Sequence, residues 1–159
     1  KLDGNGPALS DLDWYDVFAD VTNGLRAMHL KGCLNNDLQE GNVLLIKKEG
    51  TWRGKVIDFG MSSSGPTELN MSESARRAYI DDGKYSHYAP ECALHDVPTS
   101  IQSDTYQLGS LMGLVGQEMS IGALITIGEC ITTVQPDKRP ALGTILEELE
   151  LQRYGIWGC

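Results

Sequence analysis

Over residues 10–30 apolar side chains recur at Trp14, Phe18, Val21, Leu25 and Met28, in steps of four, three, four and three. That spacing lays them along one stripe of an α-helix. Ser10 and Asp13 stand at capping-box spacing at its start, with Asp in place of the usual Glu or Gln. Gly32 after Lys31 suits its end. Residues 1–9 read as loop. A polar stretch over 33–42, "CLNNDLQEGN", is followed by two short apolar runs, 43–46 and 55–57. These predict a hairpin whose turn carries Gly50 and Gly54. Residues 61–84 are rich in Ser, Glu, Asp and Arg and lack any period, so they read as one long loop. Helical periodicity returns from about Gln102, over 104–116, 121–133 and 140–152. Pro140 suits a first helical position, with Ile145, Leu146 and Leu149 on one face. The pattern predicts a mostly helical chain with one early hairpin and no internal repeat.

The totals narrow the class. A chain of 159 residues with 41% hydrophobic and 22% charged residues reads as one globular domain with a real core. Its net charge of −9 argues against a nucleic-acid surface, which needs a basic stripe. The longest apolar run, around 108–115, is too short to span a bilayer, and the Gly109/Gly113 spacing within it means little without a membrane helix. No secretory signal pattern is visible, and the chain begins at Lys1 rather than Met, so the translated start is expected elsewhere. Cys33, Cys92, Cys130 and Cys159 form no CxxC pair, which argues against zinc or redox use and fits a reducing compartment. A cytoplasmic protein with no membrane partner is expected.

Three polar residues bracket the hairpin: Asp37 and Asn42 before it, Asp58 after it. A hairpin brings its ends together, so these groups can converge. Asn42 and Asp58 offer hard oxygens of the kind Mg²⁺ prefers. Asp37 remains as a carboxylate near the metal, and aimed at a hydroxyl it is a general base. A metal-bound phosphate beside that hydroxyl defines phosphoryl transfer, in which positioning and charge neutralisation supply most of the catalysis. Taken singly, the same residues also suit ordinary Asx turns. His29, His87 and His95 have no ligand spacing and read as structural or exposed. Ser62, Ser63, Ser64, Ser72, Ser74 and Tyr79 read as solvated loop positions, and Arg76–Arg77 as a solvated pair.

In order along the chain, D-L-x-x-x-N at 37–42, D-F-G at 58–60 and A-P-E at 89–91 resemble the C-terminal lobe of the eukaryotic protein kinase family. "GKYSHY" at 83–88 resembles the substrate-facing loop, "SDTYQLGSLM" at 103–112 the helix after it, and "PDKRP" at 136–140 the approach to the last helix. The resemblance covers nearly the whole chain. It implies a protein-kinase-like α+β fold, a mainly α-helical C-lobe with a small β-hairpin at the catalytic cleft. Residues 1–159 would be a single partial kinase domain, with a catalytic loop at about 33–42 and an activation segment at about 58–91. It implies transfer of the ATP γ-phosphoryl group to a Ser, Thr or Tyr hydroxyl of a protein substrate, with ATP and Mg²⁺. Asp37 would accept the hydroxyl proton, Asn42 and Asp58 would hold Mg²⁺, and Leu44 would join them on the cofactor side. Asp104 would anchor the catalytic loop, and Arg139 would pair with Glu91.

The departures define an alternative. Asn35-Asn36-Asp37 replaces the family's His-Arg-Asp, and Asn36 cannot form the ion pair that Arg makes with a phosphorylated activation loop. Gln39 replaces the Lys that contacts the transferred phosphate in Ser/Thr kinases. Lys84 replaces the Thr that often marks Ser/Thr specificity. Only 35 residues separate Asp104 from Arg139, so a helix that usually fills this span is reduced or absent. The ATP lobe's Gly-rich loop is not found: Gly4 and Gly6 have GxG spacing, but Leu9 holds the third position. An N-lobe is therefore expected upstream. The isolated chain should bind ATP poorly and associate through uncovered apolar surface. A pseudokinase or interaction scaffold is the alternative, opposed by the retention of Asp37, Asn42 and Asp58 together.

Overall fold

A computed structural model describes residues 9–155. The expected loop and glycine pair at the N-terminus, and Cys159, lie outside the described residues. The elements are α1 (Asp11–Leu30), β1 (Val43–Lys48), β2 (Thr51–Val56), α2 (Glu73–Asp82), α3 (Pro90–His95), α4 (Ile101–Met119), α5 (Gly122–Thr132) and α6 (Leu142–Arg153). Single 3₁₀ turns lie at Glu40–Asn42 and Pro136–Lys138. The arrangement is the α+β one expected, mainly helical with one two-stranded antiparallel sheet.

Helix α1 starts where its cap residues place it. Ser10 Oγ accepts from the Asp13 amide at 3.2 Å, and the Asp13 carboxylate accepts from the Ser10 amide at 2.9 Å. The two orphan donors are thereby satisfied reciprocally. Trp14, Phe18, Val21 and Leu25 are buried as their spacing predicts. They join one core with Leu108 and Met112 of α4, Leu124 and Ile131 of α5, and Ile145 and Leu149 of α6. The hairpin packs on α1 mainly through β2, and its Val56 joins the same core.

Several boundaries differ from expectation for local reasons. The hairpin turn is Glu49–Gly50, both at positive φ (52° and 86°), the conformation that two-residue hairpin turns require. Gly54 lies inside β2, not in the turn. A Cβ there would sit 2.5 Å from the Val17 carbonyl oxygen, so its bare backbone lets the strand press against α1. The stretch 61–84 is not one loop, since α2 occupies its second half. Ser72 Oγ caps that helix by accepting from the Ala75 amide, and Gly83 closes it at φ +64°. Helix α2 buries no residue completely, so it lacks the apolar stripe that would have revealed it. Helix α3, six residues long behind Pro90, is too short to show a period. Helix α4 starts at Ile101, three residues earlier than its apolar pattern, because Ser100 and Ser103 form a capping box. Pro140 precedes α6 rather than opening it. The helix begins at Leu142, and Arg139 is extended (φ −63°, ψ 137°), as a residue before proline prefers.

Only Ser120 and Ile121 separate α4 from α5. The two helices cross closely through glycine: a Cβ on Gly128 would lie 2.7 Å from the Gly109 carbonyl and the Gly113 amide. The Gly109/Gly113 spacing therefore serves a helix crossing within the core. No helix among the described residues is long and apolar enough to cross a membrane.

Candidate active site

The loop between α1 and β1 is held from below by α4. Asp104 is fully buried. Its carboxylate accepts the backbone amides of Asn35 (2.8 Å) and Asn36 (2.9 Å) and meets His29 Nε2 at 2.8 Å. Gln107, one turn on, accepts from the Leu38 amide at 2.7 Å and donates to the Asn36 carbonyl at 3.0 Å. Two side chains of one helix thus satisfy four backbone groups of an irregular segment, which buried backbone demands. Asn36 sits at φ +66°, a region Asn tolerates. Its Nδ2 donates to the Met61 carbonyl and to Ser63 Oγ, both at 2.9 Å. Asn36 therefore ties the loop directly to the segment after the hairpin.

On this platform Asp37 is partly exposed and heavily engaged. Its Oδ1 accepts from Gln39 Nε2 at 3.0 Å and from the Tyr88 hydroxyl at 3.3 Å. Its Oδ2 accepts from Asn42 Nδ2 at 2.8 Å, and the same nitrogen donates to the Asp37 carbonyl at 2.8 Å. His87 Nε2 lies 3.3 Å from Oδ1, within ion-pair distance. This nitrogen is buried and makes no hydrogen bond. Burial lowers the His87 pKa below its usual 6.5, while the Asp37 charge opposes that shift. Burial, then Asp37, pushes the Tyr88 phenol up to about 12, so it stays protonated and donating.

The base of the hairpin carries the other two residues. The Ile57 amide donates to the Asn42 carbonyl at 2.9 Å, closing the ladder one residue before Asp58. Asp58 is exposed at φ +60°, and its Oδ1 accepts from the Gly60 amide at 3.0 Å. The structure thus joins Asp37 to Asn42 directly and sets Asp58 beside them at the hairpin base, with no hydrogen bond to either. Asn42 spends its nitrogen on Asp37, which leaves Oδ1 of Asn42 and Oδ2 of Asp58 as the oxygens a hard cation could take. Among the described residues no three His, Cys, Asp or Glu side chains cluster as a metal site. A cation here would complete its shell with phosphate and water oxygens, as Mg²⁺ commonly does. Leu44 is 46% exposed on β1 and touches none of these groups through a polar contact.

Arg139 is buried and grips Glu91 of α3 with both arms, at 2.5 and 2.9 Å. It also donates to the Gln102 carbonyl at 3.0 Å, and its guanidinium carbon lies 4.9 Å from the centre of the Tyr106 ring. Between Asp58 and Glu91 the chain is tied down along its length. The Thr99 amide donates to the Thr67 carbonyl at 2.7 Å. The Tyr79 hydroxyl donates to the Tyr88 carbonyl at 3.1 Å. Arg76 is not solvated as expected: it donates to the Met71 and Leu94 carbonyls and pairs with Asp96. Arg77 is the solvated member, paired only with Glu73. His95 is exposed.

Sequence reasoning missed His29, His87, Tyr88 and Gln107. Each meets its partner 50 to 75 residues away along the chain, and no local pattern marks such pairs.

The chain matches the family model described as protein tyrosine and serine/threonine kinase over residues 1–120, and it belongs to that family. It is 26% identical over 120 residues to the serine/threonine-protein kinase-like protein CCR4 of Arabidopsis thaliana, covering 68% of this chain and 14% of that protein. It is 28% identical over 116 residues to the membrane-associated tyrosine- and threonine-specific cdc2-inhibitory kinase wee-1.1 of Caenorhabditis elegans, covering 71% and 23%. With the human dual specificity testis-specific protein kinase 2 it shares 30% identity over 93 residues, covering 58% and 15%. The chain spans less than a quarter of the length of each of these relatives.

Proposed function

We propose that residues 1–159 are the substrate-facing lobe of a protein kinase, which transfers the ATP γ-phosphoryl group to a Ser, Thr or Tyr hydroxyl of a protein. The observation that carries this reading is Asp37. Its carboxylate is held by Asn42 at the hairpin base, over a backbone pinned to the buried carboxylate of Asp104. Residues 33–42 act as the catalytic loop and residues 58–91 as the activation segment. Asp37 accepts the proton of the acceptor hydroxyl as that oxygen attacks. Asn42 and Asp58 offer oxygens to Mg²⁺, which when bound neutralises phosphate charge. Leu44 lends exposed apolar surface to the nucleotide side. Leu44 and Ile46 share one exposed face of β1, and Phe59 and Met61 beyond the hairpin are exposed too, which suits cover by a nucleotide-binding lobe. A cytoplasmic location suits this reading. A non-catalytic scaffold is favoured by one observation: neutral Gln39 occupies Oδ1 of the base where the family has Lys.

The test is phosphoryl transfer by the full-length protein, parent against Asp37→Asn, with ATP and Mg²⁺. The kinase reading expects transfer to fall by about 10²-fold or more in a variant that stays folded. Equal transfer by the two proteins contradicts it.

A further inference from the structure

Three side chains crowd a single oxygen of Asp37, two of them as hydrogen-bond donors. Gln39 comes from the catalytic loop itself. The other two, His87 and Tyr88, come from the loop ahead of α3, and their rings touch at a tilt of 44° with centroids 4.1 Å apart. Tyr88 is tethered in turn, since its carbonyl accepts the Tyr79 hydroxyl of α2. His87 Nε2 is buried, 3.3 Å from Oδ1, and has no other partner. Beside it opens a groove of about 440 Å³ that also borders Gln39, Glu40, Lys84 and Leu111.

We propose that His87 and Tyr88 are positioning residues for Asp37: they fence its Oδ1 and direct its Oδ2 to the acceptor hydroxyl. The inference rests on the kinase reading above. An ionised carboxylate has about two acceptor sites per oxygen. Gln39 and Tyr88 fill those of Oδ1, whereas Asn42 fills one of Oδ2 and leaves the other open. The orientation of the base then depends on the order of residues 83–88, and through Tyr79 on α2. His87 adds a charge dependence. Facing it are Asp37 and Glu40 from the catalytic loop, and Lys84, Tyr85 and Tyr88 from its own loop. Helix α4 contributes only uncharged Ser110, Leu111 and Leu114. Neutral His87 leaves the carboxylate charge free to attract the hydroxyl proton. Protonated His87 pairs with that charge and competes for it.

The experiment compares full-length parent, Tyr88→Phe, His87→Ala and His87→Gln in steady-state transfer, with Asp37→Asn alongside. Tyr88→Phe and His87→Ala should each lower kcat about tenfold, the scale of a misplaced catalytic group. The KM for ATP should stay within about twofold, because ground-state binding is untouched. Thermal midpoints should hold. His87→Gln, a neutral side chain that still fills the space beside Oδ1, should restore most of kcat and flatten the acid side of the pH profile. Rates within about twofold of the parent for Tyr88→Phe and His87→Ala at every pH would overturn the proposal. A second readout needs no turnover: the His87 imidazole titration, followed by NMR, should shift to lower pH in Asp37→Asn. An unmoved midpoint would also overturn it. If Asp37→Asn transfers as well as the parent, the kinase reading fails, and the imidazole shift still decides the contact.

Discussion

His29 and Asp104 meet at 2.8 Å across 75 residues of chain, one at the end of α1 and the other in the first turn of α4. Their contact closes the back of the loop between α1 and β1, because the same carboxylate also takes the amides of Asn35 and Asn36. Removing Asp104 would strand two buried amides. Asp104→Ala is expected to destabilise by about 3 kcal/mol, well above His29→Ala, which leaves both amides satisfied. Urea unfolding of the two variants checks this.

Arg139 and Glu91 form a bidentate pair with the Arg side chain almost wholly buried. Deleting either partner leaves an uncompensated charge. Glu91→Ala and Arg139→Ala should each cost about 3–5 kcal/mol. The double variant should cost much less than their sum, measured by denaturant midpoints.

The α4–α5 crossing gives opposite signs at neighbouring glycines. Gly128→Ala drives a methyl into the Gly109 carbonyl and the Gly113 backbone and should destabilise by about 1–3 kcal/mol. Gly113→Ala meets nothing within 4 Å and should stabilise α4 by about 0.5–1 kcal/mol. Thermal denaturation of the two variants separates them.

His87 makes stability depend on pH in one direction. Burial lowers its folded pKa, so below about 6.5 the unfolded chain binds the proton more readily. Its contribution is complete above that pH and is lost as pH falls through the lower, folded midpoint. Between pH 7.5 and 5.5 the parent should lose more stability than His87→Gln, which has nothing to protonate there.

Much of this was legible in the sequence wherever partners are near along the chain. The α1 stripe and its Ser10–Asp13 box needed one turn of helix to read, and the order of the motifs singled out Asp37, Asn42 and Asp58 as candidates. Gly54 was misread because a glycine between two apolar runs looks like a turn, and only the approach of Val17 from α1 shows why it sits in a strand. Helix α2 was missed because its cap and its left-handed Gly83 define it without an apolar face. The crowding of Asp37 by His87 and Tyr88 depends on the path of residues 61–86. Arg76, Tyr79 and Thr99 fix that path through contacts that no local pattern encodes.

The measurement that bears most directly on the central claim is phosphoryl transfer by the full-length protein and its Asp37→Asn variant. Unfolding midpoints would be taken on the same samples. The account predicts transfer in the parent and a loss of about 10²-fold or more in the variant at an unchanged midpoint. Equal transfer in both, or none in a folded parent supplied with ATP and Mg²⁺, would contradict it.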